Sequence, residues 1–282
     1  MNIAILGAGF IGNYVKEYIS QKHLAYLLNQ TDDKYIVPGR LREFIKTHKI
    51  DVVINTCGYT GYPNVDGCED NKPQCTFYNI NLPLIIEDEC KAANVNFINI
   101  SSGCIYTGYD KDFTEEEKPN FGIHNPDSSF YSKTKHLSEM FLDTDFTNII
   151  RIRMPINSKM DRKNLLFKLL KYDNIIDFKN SKTDVTLLSE FVEVVAENFK
   201  PGIYNAVHSN ALTTKKVTDI MIEHGIKNDN WKFVPYEGIP IKANRSNCVL
   251  DNSKVKKDFN FDFGDEEYFI RLNASILGRS LK

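Results

Sequence analysis

Asn2-Ile3-Ala4-Ile5-Leu6, followed at once by Gly7-Ala8-Gly9-Phe10-Ile11-Gly12, is the stretch on which the fold turns. The short apolar run reads as a buried strand, and beyond the glycines Val15, Tyr18 and Ile19 recur at helical spacing. Strand, tight glycine turn and helix N-terminus, in that order, aim backbone N–H groups at a point where a pyrophosphate can be held. A turn that only packs strand on helix uses the same letters, so the reading rests on this context. The expectation is a dinucleotide site built from Gly7, Gly9, Phe10, Ile11 and Gly12, at the start of a Rossmann-like α/β domain with a doubly wound parallel sheet.

The stretches that follow fit that sheet. Leu24 to Leu28 reads as the second strand, and Asn29 and Gln30 stand at its end where an acidic residue would suit NAD. Asp32 and Asp33 come just after, and Lys34, Arg40 and Arg42 are near enough to meet a 2′-phosphate, so NADPH is the expected cofactor. Arg42 to His48 reads as a short helix. Asp51 to Asn55 is a continuous apolar strand of the kind buried in a parallel sheet, ended by the small residues Thr56-Cys57-Gly58, past which a cofactor can run close to the backbone. Pro73 starts a helix running toward Ala93, kinked at Pro83; its length beside the sheet suits a homodimer face.

Val95 to Ile100 is the next strand, followed by Ser101-Ser102-Gly103-Cys104-Ile105-Tyr106. Ligands of open α/β sheets bind outside the carboxyl ends of the strands, which places Ser102 and Cys104 where chemistry would occur. Thr107 to Ser128 is polar and reads as a surface loop over the site. A helix from Tyr131 to Asp143 and a strand from Asn148 to Arg153, ended by Met154-Pro155, complete the regular alternation. Looser elements follow at Asn164 to Tyr172, Gly202 to Ala206 and Thr213 to His224, with a polar loop from Asn244 to Asp251. We expect a cofactor domain over 1–155 and a smaller, discontinuous substrate lobe over 156–282, some of whose segments return to the sheet.

Within Ser129-Phe130-Tyr131-Ser132-Lys133-Thr134-Lys135, Tyr131 and Lys135 are four residues apart and share a helix face. An ammonium held near a phenol favours the phenolate and moves a group of ordinary pKa near 10 toward a useful general acid. The same spacing occurs on solvated helices. Its weight here comes from the glycine turn upstream and from Ser102 at a strand end.

Composition excludes several classes. The chain of 282 residues is 42% hydrophobic, so a sizeable core is available, and its net charge of -2 gives no electrostatic reason to expect nucleic acid or an anionic membrane. The six cysteines, at 57, 68, 75, 90, 104 and 248, form no C-x-x-C pair and read as reduced cytoplasmic thiols. No apolar run reaches the roughly 20 residues that span a bilayer. The six histidines show no ligand spacing, so no metal is expected.

Taken together, the glycine turn, Ser102, Tyr131 and Lys135 resemble the extended short-chain dehydrogenase/reductase family in its nucleotide-sugar branch. The likeness extends through Asn64-Val65-Asp66 with Cys68-Glu69, Gly103-Cys104-Ile105, Pro119-Asn120-Phe121, Arg153-Met154-Pro155-Ile156, Gly202-Ile203-Tyr204-Asn205 and Arg245-Ser246-Asn247. These stretches are similar to those of family members that both epimerise and reduce a UDP-4-keto-6-deoxy sugar. The family's turn is usually G-x-x-G-x-x-G, and the chain carries the shorter form. The resemblance implies an NADP(H) enzyme that makes UDP-L-rhamnose from UDP-4-keto-6-deoxy-D-glucose. It implies Cys104 and Lys168 as the epimerising acid/base pair, Tyr131 as proton donor to the reduced ketone, Ser102 on the carbonyl oxygen, and Lys135 tuning Tyr131 and holding the ribose. Cys57, Gly58, Asn79, Met154 and Pro155 would line the cofactor, and Asn120, Arg245 and Asn247 the substrate. A reductase lacking epimerase activity and a non-catalytic cofactor-binding subunit remain open as alternatives, as does the base, UDP or dTDP.

Overall fold

Alternating side chains of the first strand already serve two cores. In the computed structural model, which describes residues 1–29 and 35–281, β1 (Asn2–Leu6) sends Ile3 and Ile5 to one face of a sheet and Ala4 and Leu6 to the other. α1 (Phe10–Ile19) returns the chain to β2 (Leu24–Leu28), and α2 (Arg40–His48) leads to β3 (Val52–Asn55). α3 (Gly67–Asp70) and α4 (Lys72–Thr76) run into a π-helical turn over Phe77–Asn81 and then α5 (Leu82–Ala93). Pro83, in the first turn of α5, supplies no N–H to the helix ladder, and the wider turn just before it is where the break in register is absorbed. β4 (Asn96–Ser102), β5 (Gly108–Phe113), α6 (Phe130–Phe141), β6 (Thr147–Ile152) and β7 (Pro155–Ile156) follow. The remainder is α7 (Leu165–Lys171), β8 (Asn174–Ile175), β9 (Thr183–Asp184), α8 (Val185–Glu197), β10 (Gly202–Asn205), α9 (Thr214–Glu223), β11 (Lys232–Phe233), β12 (Cys248–Leu250), α10 (Ser253–Phe259) and α11 (Glu266–Ser280).

The main sheet has six parallel strands in the order β10-β6-β4-β3-β1-β2. The chain leaves β1 for β2 on one side and returns to β3 on the other, so the segments after β1 and β3 part company at their carboxyl ends. That is the switch point at which open α/β sheets bind ligands. One face is covered by α1 and α8, with Val15, Ile19, Leu188, Phe191 and Val195 packed on Ile3 and Ile5. On the other face, Leu41 and Ile45 of α2 and Leu82 and Ile86 of α5 pack on Ala4, Leu6 and Phe97. A separate cluster joins Leu166 and Leu169 to Val217, Ile220, Ile270 and Leu277.

The structure departs from the sequence expectations most in three respects. The polar segment 107–128 contains a strand, β5, because β12 pairs with it in parallel; of Gly-Tyr-Asp-Lys-Asp-Phe only Phe113 is buried, so no alternation marks it. α8, α10 and α11 were not expected. α8 is rich in β-branched residues, yet Asp184 caps it by accepting from the N–H groups of Thr186 and Leu187 at 2.8 and 3.1 Å, a start signal legible in sequence. Finally, β4 runs two residues beyond Ile100, so Ser102 is its last paired residue, opposite Ile152. Among the described residues, no helix is long and apolar enough to cross a membrane.

Candidate active site

At the switch point Gly7 has φ +105°, and a Cβ there would press to 2.7 Å from Cys57 Sγ. A Cβ on Gly12 would collide with the carbonyl oxygen of Gly7, so helix and turn pack at a distance only glycine allows, and Thr56 Oγ1 pins the turn by donating to Leu6 O and Gly7 O at 2.9 and 3.0 Å. A Cβ on Gly9, by contrast, would point into open space. Gly9 caps α1 without a side-chain hydrogen bond, and no acidic residue stands in the first turn, so the N-terminal N–H groups and the positive end of the helix dipole are free to meet an anion. The turn therefore fits a pyrophosphate.

Two positions further along the switch point converge on α6. The Cβ direction of Gly58 points to Asn79 Oδ1 at 3.4 Å and to Lys135 Nζ at 3.6 Å. Asn79, wholly buried in the π turn, accepts from Tyr59 N at 2.8 Å and donates to Tyr59 O at 2.9 Å and Thr134 Oγ1 at 3.1 Å. It locks the segment after β3 against α6. Cys57 receives a Tyr35 hydroxyl contact of 2.9 Å, and burial pushes its thiol up.

Ser129 caps α6 by accepting from Ser132 N at 3.1 Å, and the helix then presents Tyr131 and Lys135 on successive turns. The Tyr131 phenol lies close enough to Ser102 for the Ser102 hydroxyl to favour its ionised form. Burial, with Cys104 beside it, pushes the phenol well above its ordinary value, against the opposing effect of the Ser102 hydroxyl. Lys135 is itself pushed down by burial, Glu139 and nearby thiols opposing. The expected lowering of Tyr131 by Lys135 is thus outweighed by desolvation, which keeps the phenol a proton donor. Below Tyr131 lie Cys68 and Cys75, both fully buried, the Cys75 sulfur in contact with Thr134 Oγ1 at 3.6 Å and accepting from Asn79 Nδ2 at 3.3 Å.

Cys104 sits two residues past the end of β4, its N–H donating to Ser102 Oγ at 3.2 Å and its sulfur accepting from Arg153 Nη1 at 3.0 Å. Lys168, on α7, approaches from a different part of the chain; burial first, and then Lys163, lower it to about 8, while Cys104 acts in the opposite sense. Ser102, Tyr131, Lys135, Cys104 and Lys168 thus share one electrostatic neighbourhood.

The model of the RmlD substrate binding domain matches residues 1–268. The chain belongs to the RmlD substrate-binding family. It is similar to a bifunctional dTDP-4-dehydrorhamnose 3,5-epimerase/dTDP-4-dehydrorhamnose reductase of Arabidopsis thaliana, with 30% identity over 277 residues, 92% of this chain and 87% of that protein. A trifunctional UDP-glucose 4,6-dehydratase/UDP-4-keto-6-deoxy-D-glucose 3,5-epimerase/UDP-4-keto-L-rhamnose-reductase of the same plant is 31% identical over 267 residues, 89% of this chain. The chain spans 38% of that relative's length. Among solved structures, a UDP-rhamnose synthase from Acanthamoeba polyphaga mimivirus superposes with a TM-score of 0.88 at 24% identity, covering 98% of this chain and 99% of the other. A dTDP-4-dehydrorhamnose reductase from Bacillus anthracis, solved with NADP, has the same fold (TM-score 0.82, 14% identity, 96% and 97% covered). The family is one of nucleotide-sugar reductases.

Within this RmlD-type frame the remaining expected residues fall into different situations. Met154 takes φ +33° ahead of Pro155, a left-handed conformation held at the strand end beside the site. Arg245 donates to Asp66 Oδ1 at 2.8 Å and Asn247 Oδ1 accepts from Asn180 at 3.1 Å, so both brace the loops around the site. Asn120 spends both ends of its amide on the backbone of Thr107, at 2.8 Å each, which staples the residue before β5 to the loop after it. Arg42 is committed to Glu89 of α5 at 3.3 Å, whereas Arg40 keeps an exposed side chain beside Glu43. Asn29 directly follows β2, and Lys34 lies outside the described residues. Sequence reasoning gave no role to Arg153, Lys163 or the Cys68–Cys75 pair. Arg153 carried a signal, as a cation directly after a strand at its carboxyl end; the others are brought in only by folding.

Proposed function

We propose that the chain is an NADPH-dependent 3,5-epimerase and 4-ketoreductase that converts UDP-4-keto-6-deoxy-D-glucose to UDP-L-rhamnose. The observation that carries this reading is that Cys104, just past the strand end that bears Ser102, lies within electrostatic reach of Lys168 from α7. A C4 ketone acidifies the hydrogens at C3 and C5, so an acid/base pair can invert both carbons through an enolate. Lys168, lowered by burial to about 8, still carries its proton at pH 7 and serves as the acid, leaving Cys104 as the base. Tyr131, kept protonated by its burial, donates to the oxygen at C4, and Ser102 fixes that oxygen's position. The turn of Gly7, Gly9 and Gly12 suits the cofactor's pyrophosphate and Lys135 its ribose, with Gly58 and Met154-Pro155 alongside. The nicotinamide supplies the hydride for C4.

Proton exchange needs the ketone and the acid/base pair but no hydride, so the two halves of the reaction separate. Incubated in deuterated water without NADPH, the 4-keto sugar should gain deuterium at C3 and C5, read by NMR. Cys104→Ala should lose most of that exchange and still reduce a 4-keto sugar already in the L-configuration. Tyr131→Phe should do the reverse, keeping exchange while reduction falls by about two to four orders of magnitude. Wild-type protein that reduces the L-sugar without exchanging either hydrogen is a reductase alone.

A further inference from the structure

Arg153 is fully buried, yet among the described residues it meets no carboxylate. Its Nη1 donates to Cys104 Sγ and Ser246 Oγ, each at 3.0 Å, and its Nη2 to Asn180 Oδ1 and to Ser246 O at 3.2 Å, while Nε finds no partner. Two other buried cations are paired with carboxylates. Arg151 forks onto Glu139 at 2.8 and 3.0 Å, and Lys182 meets Glu266 at 2.7 Å. A buried guanidinium with no carboxylate partner is costly, because desolvation of the charge is not repaid by an anion. Two sulfurs lie close enough to supply one, those of Cys104 and Cys248. Cys248 turns its own S–H to Gly103 O at 3.8 Å, and burial pushes that thiol up. Cys104 is the sulfur that faces the guanidinium as an acceptor.

We propose that Arg153 is a positioning residue that completes the acid/base pair, its guanidinium holding the Cys104 sulfur in its anionic, proton-accepting form and aiming it into the site. A charge-assisted N–H to sulfur bond favours the thiolate, the form that accepts a proton from carbon. When the substrate C–H bond breaks, its electron pair enters the enolate and the proton forms S–H on Cys104; Arg153 stays protonated throughout. The other groups acting on this sulfur are Lys168 from α7, Tyr131 and Lys135 from α6, and Cys248 from β12, with Cys68 and Cys75 packed beneath Tyr131. Among the described residues neither of these lysines donates a hydrogen bond to the sulfur, whereas Arg153 does. The inference rests on the epimerase reading of Cys104 but is tested without any sugar.

The test is alkylation of Cys104 by iodoacetamide in the full chain, followed by mass spectrometry of the peptide that contains it, at pH 7 and pH 10. In R153Q the pH 7 rate should fall about tenfold or more relative to wild type, while the pH 10 rates stay within about twofold, because alkylation follows the thiolate fraction. R153K keeps the charge while losing the fork, and should retain most of the pH 7 reactivity. A purely structural role for Arg153 would make the lysine variant as slow as R153Q. Equal ratios in wild type and R153Q overturn the proposal. Should R153Q not fold, the wild-type ratio decides: an ordinary thiol reacts at pH 7 with only about 3% of its pH 10 rate, and that ratio in wild type would also overturn it. A responsive Cys104 in a protein that exchanges no deuterium would sink the epimerase reading and leave Arg153's effect on the thiol intact.

Discussion

Lys168 illustrates how a single residue costs stability for the sake of chemistry. Burial, reinforced by Lys163, takes its ammonium from the ordinary value of 10.5 to about 8. In the unfolded chain it titrates near the ordinary value, so between about pH 8 and 10.5 the unfolded chain holds the extra proton and stability rises with pH; below about 8 the full penalty is present. Lys168→Met removes that penalty. The variant should melt higher at pH 7 by roughly 3–6 °C, for a gain on the order of 1–2 kcal/mol, and the gain should shrink as the pH is raised from 8 to 10.5. The same variant should lose deuterium exchange at C3 and C5. A lower melting temperature at pH 7, measured by calorimetry, would show that the ammonium is not under strain. At this scale the sequence was legible where spacing alone fixes geometry. Tyr131 and Lys135 must share a helix face whatever surrounds them, and Ser102 and Cys104 must follow a strand end. Lys163 was not legible, and of Arg153 only its place after a strand was, because what they do depends on which neutral or charged groups folding brings against them.

At the scale of elements, the placement of α6 decides whether Tyr131 meets Ser102. One buried network fixes it: Glu139 accepts from Arg151 of β6 at 2.8 and 3.0 Å and from Ser101 Oγ of β4 at 2.7 Å, while Arg151 also donates to the Tyr106 hydroxyl at 3.1 Å. Helix, two strands and the segment after β4 are thereby held to one register. Glu139→Ala leaves the Arg151 charge buried and unpaired, which should cost about 3–5 kcal/mol, or roughly 10 °C in melting temperature. Replacing both partners with apolar residues, as in E139L/R151M, should recover most of the loss, since a well-packed apolar pair avoids the desolvation cost altogether. Calorimetry on the two variants decides the matter, and equal losses in both would mean that packing volume, not the orphaned charge, sets the cost. Such a network is invisible to periodicity, since its members are 38 and 12 residues apart in the chain. The strands of the sheet were legible because burial on both faces demands continuous apolar runs. β5 was not, because its pairing with β12 is made between polar stretches far apart in sequence.

For the molecule as a whole, the first 155 residues announce their sheet, while the rest is stitched together by long-range contacts such as Lys182 with Glu266 and β12 with β5. We propose the same division into cofactor domain and substrate lobe, with the proviso that α8 and β10 belong physically to the sheet half. A cofactor that binds the folded sheet and not the unfolded chain stabilises by mass action, by about 2.7 kcal/mol at a hundredfold excess over its dissociation constant. That corresponds to a rise of roughly 5–10 °C in a domain of this size. Which cofactor gives the larger rise depends on what receives the 2′-phosphate beyond β2. Arg42 is engaged by Glu89, and Arg40, exposed beside Glu43 at the start of α2, is left as the cation able to turn toward it among the described residues. NADPH should therefore raise the melting temperature more than NADH at equal concentration, and Arg40→Ala should narrow the gap without altering the NADH shift. Because the readout is unfolding of the whole chain, it needs no substrate and no turnover. A larger shift with NADH in the wild type would mean that the end of β2 receives an unphosphorylated ribose. An unchanged gap in the Arg40 variant would move the 2′-phosphate contact to another residue.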